Sequence, residues 1–422
     1  MSLAMRIVSE ARLRDELAAL GPGEPRVVAS GNHAAPQLAL GIVDGALERY
    51  RLFMLAAQGP LARREGVIFE SPFVGPGMRG GGARLDYLPT RLSLVPRLFD
   101  TLRAPDVLLL NTTPPRDGRV SMGIEVNVLP AALERVRARG GLVVAQLNAA
   151  MPYTLGDGEI DCEQIDLAIE GPAELLSPAR AASEDEAAGQ IAEHLAAMVG
   201  DGATLQLGIG QVPDATLRAL PGRRLLGVWS EMISDGVMEL EHAGALDPGR
   251  PIVTSFLYGS QELYRWADRN PRVAMRRTET TNDTSLIASV AGMVSINTAL
   301  QIDLTDQAGA SHIRGSVYSG FGGQPDFVAG AIRSPGGHAV IALRSWHEPS
   351  DSSAIVGRLN GPVTSFQHSS VVTEHGAAHI FGRSQRAQAR LMIEHAAHPD
   401  AREGLYAEAE AMGLCARPSA RA

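Results

Sequence analysis

The sequence contains no lysine: all 38 of its basic residues are arginine. That absence excludes Schiff-base catalysis, a phosphate-loop lysine and a Ser-Lys dyad, so anionic ligands must be met by Arg or by backbone N–H groups. Cysteine is nearly absent too. Cys162 and Cys415 are far apart with no C-x-x-C partner, the pattern of reduced thiols in a cytoplasmic protein. Aromatic residues make up only 5%, and no basic stretch is interleaved with them. With a net charge of −9, a nucleic-acid surface is not expected and a small-molecule partner is. No run of about 18 apolar residues occurs, and no basic segment followed by an apolar one opens the chain, so no membrane association is expected.

What is present is glycine and proline, 45 and 26 residues, in a chain that is 45% apolar and 20% charged. This is the composition of an ordered, turn-rich α/β protein. A length of 422 residues suggests two or three domains. The passage EGPAELLSPARAASEDEAAG, from Glu170, reads as a linker that runs into a helix, with Ser183 and Glu186 at capping-box spacing and Ile191, Leu195 and Met198 on one face. The boundary is placed at residue 182, giving domains 1–182 and 183–422.

The two halves repeat a motif order. RVVAS leads into GNHAAPQLAL, with Gly31 five residues before Pro36; TLQL leads into GIGQVPDATL, with Gly208 five residues before Pro213. Both read as strand, tight turn, then helix with Pro near its first turn. Asn148 follows the strand in GLVVAQLNAAM, and Asn297 has a comparable place in GMVSINTAL. The remaining strands are continuous apolar runs at Val107, Ile252 and His338, which suit mostly parallel sheets covered by helices. The expectation is a duplicated open α/β domain, in which ligands bind beyond the carboxyl ends of the strands.

Glu231 stands in that position, directly after LLGVW in GVWSEMISDG. A dinucleotide site is one reading, since GIGQVP resembles the start of G-x-G-x-x-G and Glu231 follows Gly208 at about the ribose-binding interval. Pro213 in place of the third glycine argues against it. The plainer alternative is a cap for a helix starting near Asp235, or a carboxylate that simply points into solvent. Another unusual segment is GSVYSGFGGQPDF, where Gly320, Gly322 and Gly323 stand beside Tyr318 and Phe321. Glycines there let backbone N–H groups approach a ligand closely, as an oxyanion site requires, although a tight turn before a helix at Asp326 explains them equally well. A carboxylate together with a donor-rich glycine loop suggests acyl chemistry. Glu374, His375 and His379 have a spacing that can bind metal on a helix, but VVTE reads as a strand and Gly376 interrupts the pair, so solvated histidines are expected and no metal.

The sequence resembles the acetyl-CoA hydrolase/transferase family, which takes in 4-hydroxybutyrate CoA-transferases. The resemblance runs through LGIGQVPDATLRAL, WSEMISDGVMELEHAGAL, IASVAGMVSINTALQIDLTDQ, YSGFGGQPDFVAGA and VVTEHGAAHIFGRSQRAQARLMIEHAAHPDAREGL, with DYLPTRLSLVPRLF, PPRDGRVSMG and VVAQLNAAMPYTLGDGEID in the first half. It implies two CoA-transferase-type α/β domains, with Glu231 as nucleophile toward an acyl-CoA and a short-chain carboxylic acid as acceptor. Gly322 and Gly323 are implied as oxyanion donors. Gly208, Gly210, Gln211, Asn297, Tyr318, Gly320, Phe321, Asn32 and His33 become candidate substrate or CoA contacts. No cofactor beyond coenzyme A is implied, and a homodimer is a reasonable assembly. An acyl-CoA hydrolase using the same Glu, and a catalytically silent CoA-binding protein, remain alternatives. Trp229, His375 and the segment GPVTSFQHSSVV depart from the family text, and Trp229 is expected to narrow the acyl pocket.

Overall fold

The computed structural model describes residues 5–81, 84–178 and 185–415. The chain is α/β and divides into two compact units. One comprises residues up to 179 with Pro251–Asn282 and Val317–Gly322; the other comprises Arg180–Arg250, Asp283–Ser316 and the residues from Gly323 on. Position 182 falls outside the described residues, whereas two segments far downstream of it belong to the first unit.

The first unit is built on eight strands in the order Arg6–Ile7, Leu167–Glu170, Leu142–Leu147, Val107–Thr112, Arg26–Ala29, Tyr50–Phe53, Val67–Ser71 and Arg84–Tyr87. Every pairing among them is parallel. Val107–Thr112 is buried at all six positions, which is why its sequence is an unbroken apolar run rather than an alternating one. Helix Leu129–Arg139 has Pro130 in its first turn, where the missing N–H is not needed, and stops at Gly140, which adopts the left-handed φ of 69°. The core of this unit includes Leu13, Leu17, Val27, Val43, Leu52, Phe69, Val107 and Leu109.

In the second unit Ser370–Thr373, His338–Ala342, Met293–Asn297, Thr204–Leu207 and Gly227–Trp229 run parallel in that order, with Gly376–His379 added antiparallel at the edge. A smaller sheet joins Ile355–Val356, Gln301–Asp303, Gln307–Gly309 and Ser365–Phe366. Helix Glu186–Met198 is capped by Asp185, whose side chain accepts the Ala188 N–H; the expected cap, Ser183, lies outside the described residues. The carboxylate next to the helix start takes the role because it satisfies an orphan donor and favours the positive end of the helix dipole. Among the described residues, no helix is long and apolar enough to cross a membrane.

Candidate active site

Both motif repeats fold as strand, turn and helix. In the first unit, strand Arg26–Ala29 leads through the 3-10 turn Asn32–Ala34 into helix Gln37–Ala46. Asn32 is buried, with a left-handed φ of 43°. It reaches Glu125, a carboxylate absent from the sequence-based candidates. Glu125 Oε1 accepts the Gly31 N–H at 3.1 Å and Asn127 Nδ2–H at 2.9 Å, while Oε2 has no hydrogen-bond partner among the described residues. Burial pushes the Glu125 pKa up to about 7, against the opposing hydrogen bonds from Asn127, Gly31 and Asn32. Its signal in the sequence was the one that marked Glu231: a lone carboxylate inside an apolar stretch, SMGIEVNVL.

His33 stacks on Tyr258, with ring centroids 4.9 Å apart, and both ring nitrogens are buried without a partner among the described residues. Burial lowers its pKa, so the imidazole is neutral near pH ~7. The same unit holds a contrasting buried acid, Glu70. Burial would raise its pKa, but Arg26 at 2.7 Å, Arg51 at 3.1 Å and Arg103 together hold it below the usual range.

The glycine loop is packed from beneath by the first unit's own backbone. Gly320 bridges to Phe73, and a Cβ at Gly320 would stand 2.1 Å from the Pro72 carbonyl oxygen. Val74 N–H donates to the Ser319 carbonyl at 3.0 Å, and Leu92 N–H to the Gly322 carbonyl at 2.9 Å. Tyr318 is exposed, its ring 3.7 Å from the Arg79 guanidinium, whose Nε–H also donates to the Tyr318 carbonyl at 2.8 Å. Phe321 is half-buried. Gly322 has a φ of 57°, and Gly323 caps helix Gln324–Ala331. Both residues are buried, and among the described residues neither N–H has an acceptor. Buried backbone donors are almost always paired, which sets these two apart from the rest of the loop.

In the second unit, strand Thr204–Leu207 leads through Gly208 and Gly210 into helix Gln211–Arg218. Gln211 accepts Arg344 Nη2–H at 3.1 Å through Oε1. Glu231 is half-buried two residues past the end of strand Gly227–Trp229. The following helix, Asp235–His242, has Ser234 at its N-cap position, where the hydroxyl bonds Asp214 Oδ1 at 3.1 Å instead of capping the helix. Asn297 ends its strand and joins a polar network: its Nδ2–H donates to Gln206 Oε1 at 3.1 Å and to Ser295 Oγ at 2.9 Å, and Ser295 Oγ–H donates to the same Gln206 oxygen at 2.6 Å.

Trp229 packs against the apolar cluster of Ile287, Met293, Phe327 and Val328. Glu374 accepts the Ser345 N–H at 3.0 Å, His375 meets His398 edge to face, and His379 pairs with Ser370 Oγ at 2.9 Å. Among the described residues, no group of three or more His, Cys, Asp or Glu is placed to hold a metal ion.

Residues 67–177 match the acetyl-CoA hydrolase/transferase N-terminal domain and residues 259–409 the C-terminal domain. The chain is 39% identical to the 4-hydroxybutyrate coenzyme A transferase of Clostridium kluyveri, over 77% of each protein. It is 37% identical to the succinyl-CoA:acetate/propanoyl-CoA:succinate CoA transferase of Fasciola hepatica, over 85% of this chain and 78% of that one. Acetyl-CoA hydrolases also match, that of Saccharomyces cerevisiae at 30% identity over 46% of this chain and 38% of its own. Among solved structures, RipA from Yersinia pestis superposes with a TM-score of 0.86 at 28% identity, covering 97% of this chain and all of the other. The 4-hydroxybutyrate CoA-transferase of Porphyromonas gingivalis gives 0.80 at 29% identity, over 96% and 98%. The chain belongs to the acetyl-CoA hydrolase/transferase family, enzymes that act as CoA-transferases and acetyl-CoA hydrolases.

Proposed function

We propose that the protein transfers CoA from an acyl-CoA to a short-chain carboxylate, with Glu231 as nucleophile. The observation that carries this is a half-buried carboxylate immediately beyond the carboxyl end of a parallel strand, where open α/β sheets bind ligands, in a chain of this family. The Glu231 carboxylate attacks the thioester carbonyl; the C–O bond forms, the C–S bond breaks, and CoA leaves as thiolate. The thiolate then attacks the glutamyl carbon of the mixed anhydride, releasing the acyl group as a free acid and leaving a glutamyl-CoA thioester. An incoming carboxylate reverses both steps and departs as its own CoA thioester. Each addition generates a tetrahedral oxyanion, and the N–H groups of Gly322 and Gly323, which have no acceptor among the described residues, are suited to receive it. Thioesters and anhydrides have comparable reactivity, so neither ATP nor a metal is required, and ping-pong kinetics follow.

The test is intact mass after incubation with acetyl-CoA or butyryl-CoA without acceptor, followed by peptide mapping. A CoA adduct on Glu231, absent from Glu231→Gln and discharged by acetate, is the expected result. Discharge by water at the same rate with and without acetate identifies the hydrolase instead. No adduct and no turnover across an acyl-CoA panel overturns the assignment of the nucleophile.

A further inference from the structure

Three side chains of the second unit that no step of this reaction uses form a continuous hydrogen-bonded line. His368 Nδ1 lies 2.5 Å from Asp306 Oδ1, and the His368 backbone N–H donates to Asp306 Oδ2 at 2.9 Å. His368 Nε2 lies 2.9 Å from Ser365 Oγ. That hydroxyl oxygen in turn accepts Gln324 Nε2–H at 2.8 Å. His368, Ser365 and Asp306 are 1%, 3% and 5% exposed.

The Asp306 carboxylate only accepts, so His368 holds a proton on Nδ1. His368 Nε2 and Ser365 Oγ share the next hydrogen bond, and the Ser365 oxygen keeps a lone pair for Gln324 whichever of the two donates. Asp306 is itself fixed: it sits at a left-handed φ of 63° in a turn where Asp303 Oδ1 accepts the Thr305 N–H at 2.9 Å and the Gln307 N–H at 3.1 Å. On the other side, Ser365 is paired with Ala308 in the small sheet.

Ser, His and Asp in this order match the bonding of a hydrolytic triad. Burial of Ser365 and occupation of its oxygen by Gln324 leave no approach for an acyl carbon, so the line is not a nucleophilic site. Its free end has a different meaning. Gln324 is the first residue of helix Gln324–Ala331 and follows Gly323, whose buried N–H has no acceptor among the described residues.

We propose that Asp306, His368 and Ser365 are positioning residues that hold Gln324, and through it the Gly323 N–H, in the orientation that meets the developing oxyanion. The proposal rests on the reading of Gly322 and Gly323 as oxyanion donors. An interaction made only in the transition state affects turnover and not ground-state binding, so losing the line lowers kcat and leaves KM alone.

The experiment compares wild type, Ser365→Ala, Ser365→Thr and Gln324→Met as full-length chains, using butyryl-CoA and acetate. The expected result is a fall in kcat of about tenfold in Ser365→Ala and Gln324→Met, below the about 10²–10³-fold that removal of an oxyanion donor itself produces. KM for both substrates should stay within about twofold. Ser365→Thr, which keeps the hydroxyl, should recover most of the rate. Amide exchange across residues 321–326 should accelerate in the two damaged variants. An unchanged kcat, a loss shared equally by KM, or a loss that threonine does not rescue overturns the proposal. Should wild type show neither turnover nor an adduct on Glu231, the transferase reading fails while exchange still judges the line: unchanged exchange in both damaged variants sinks it.

Discussion

The two turns that share a sequence pattern, GNHAAP and GIGQVP, differ in what surrounds them. The first is filled: a Cβ on Gly31 would lie 1.9 Å from the Leu55 carbonyl oxygen, and Asn32 beside it is buried against Glu125. The second is open: Gly208 and Gly210 have nothing within 4 Å of where a Cβ would stand, and Gly210 and Gln211 are exposed. The same strand-turn-helix geometry therefore serves two ends. One copy closes over its own polar groups; the other leaves glycine backbone accessible, as a ligand contact requires.

The largest expected effect of that difference is on stability. Gly31→Ala forces a methyl against a backbone carbonyl that also accepts the Asn32 N–H at 3.1 Å, so neither side has room to yield. A loss of about 3 kcal/mol or more is expected, measured by urea denaturation. A loss below about 1 kcal/mol would mean that the first turn is as loose as the second.

Glu125 tests the filling from its polar side. Its pKa is raised from 4.5 to about 7 chiefly by burial, so the folded state binds a proton that the unfolded state has already released between those values. Its contribution to stability is complete at acid pH and is lost as pH rises from about 4.5 through about 7, a change on the order of 3 kcal/mol. Glu125→Gln removes that dependence. Melting temperatures at about pH 5 and about pH 8 should show wild type losing ground to the variant as pH increases. Parallel pH curves would show that the carboxyl is solvated. Glu70 would give the opposite sign, because its arginine partners hold it ionised.

The sequence made the backbone of this comparison legible and hid its contents. Apolar runs at Val107 and His338 announced buried parallel strands, and Gly followed five residues later by Pro announced both turns. Glu231 was visible because it follows a strand directly. Glu125 carried the same local signal but stands beside no glycine loop in the chain; its partners Gly31 and Asn32 are more than ninety residues away. The line from Asp306 to Gln324 was illegible for the same reason, since 62 residues separate Asp306 from His368. Trp229 was expected to narrow the acyl pocket; its indole packs on Phe327, Met293 and Ile287, neighbours that lie far along the chain and that local pattern does not reveal. Nor does local pattern say which unit a segment joins: Pro251–Asn282 reads as more α/β text but packs with the first unit.

The smallest stability effects should come from the open turn, and there function must carry the signal. Gly210, at φ 118° and ψ −176°, occupies a region that only glycine enters readily, so Gly210→Ala should cost about 1–3 kcal/mol through backbone strain despite the empty space around it. Gly208 has neither a left-handed backbone nor a neighbour to strike. Gly208→Ala should therefore leave stability within about 0.5 kcal/mol of wild type. If the open turn contacts the acyl-CoA, the added methyl stands where the ligand passes, and KM for acyl-CoA should rise about tenfold, equivalent to about 1.4 kcal/mol of binding. Steady-state kinetics beside a denaturation curve separate the two quantities. Unchanged kinetics in a fully stable Gly208→Ala would remove this turn from the binding surface, and the contrast between the turns would then be one of packing alone.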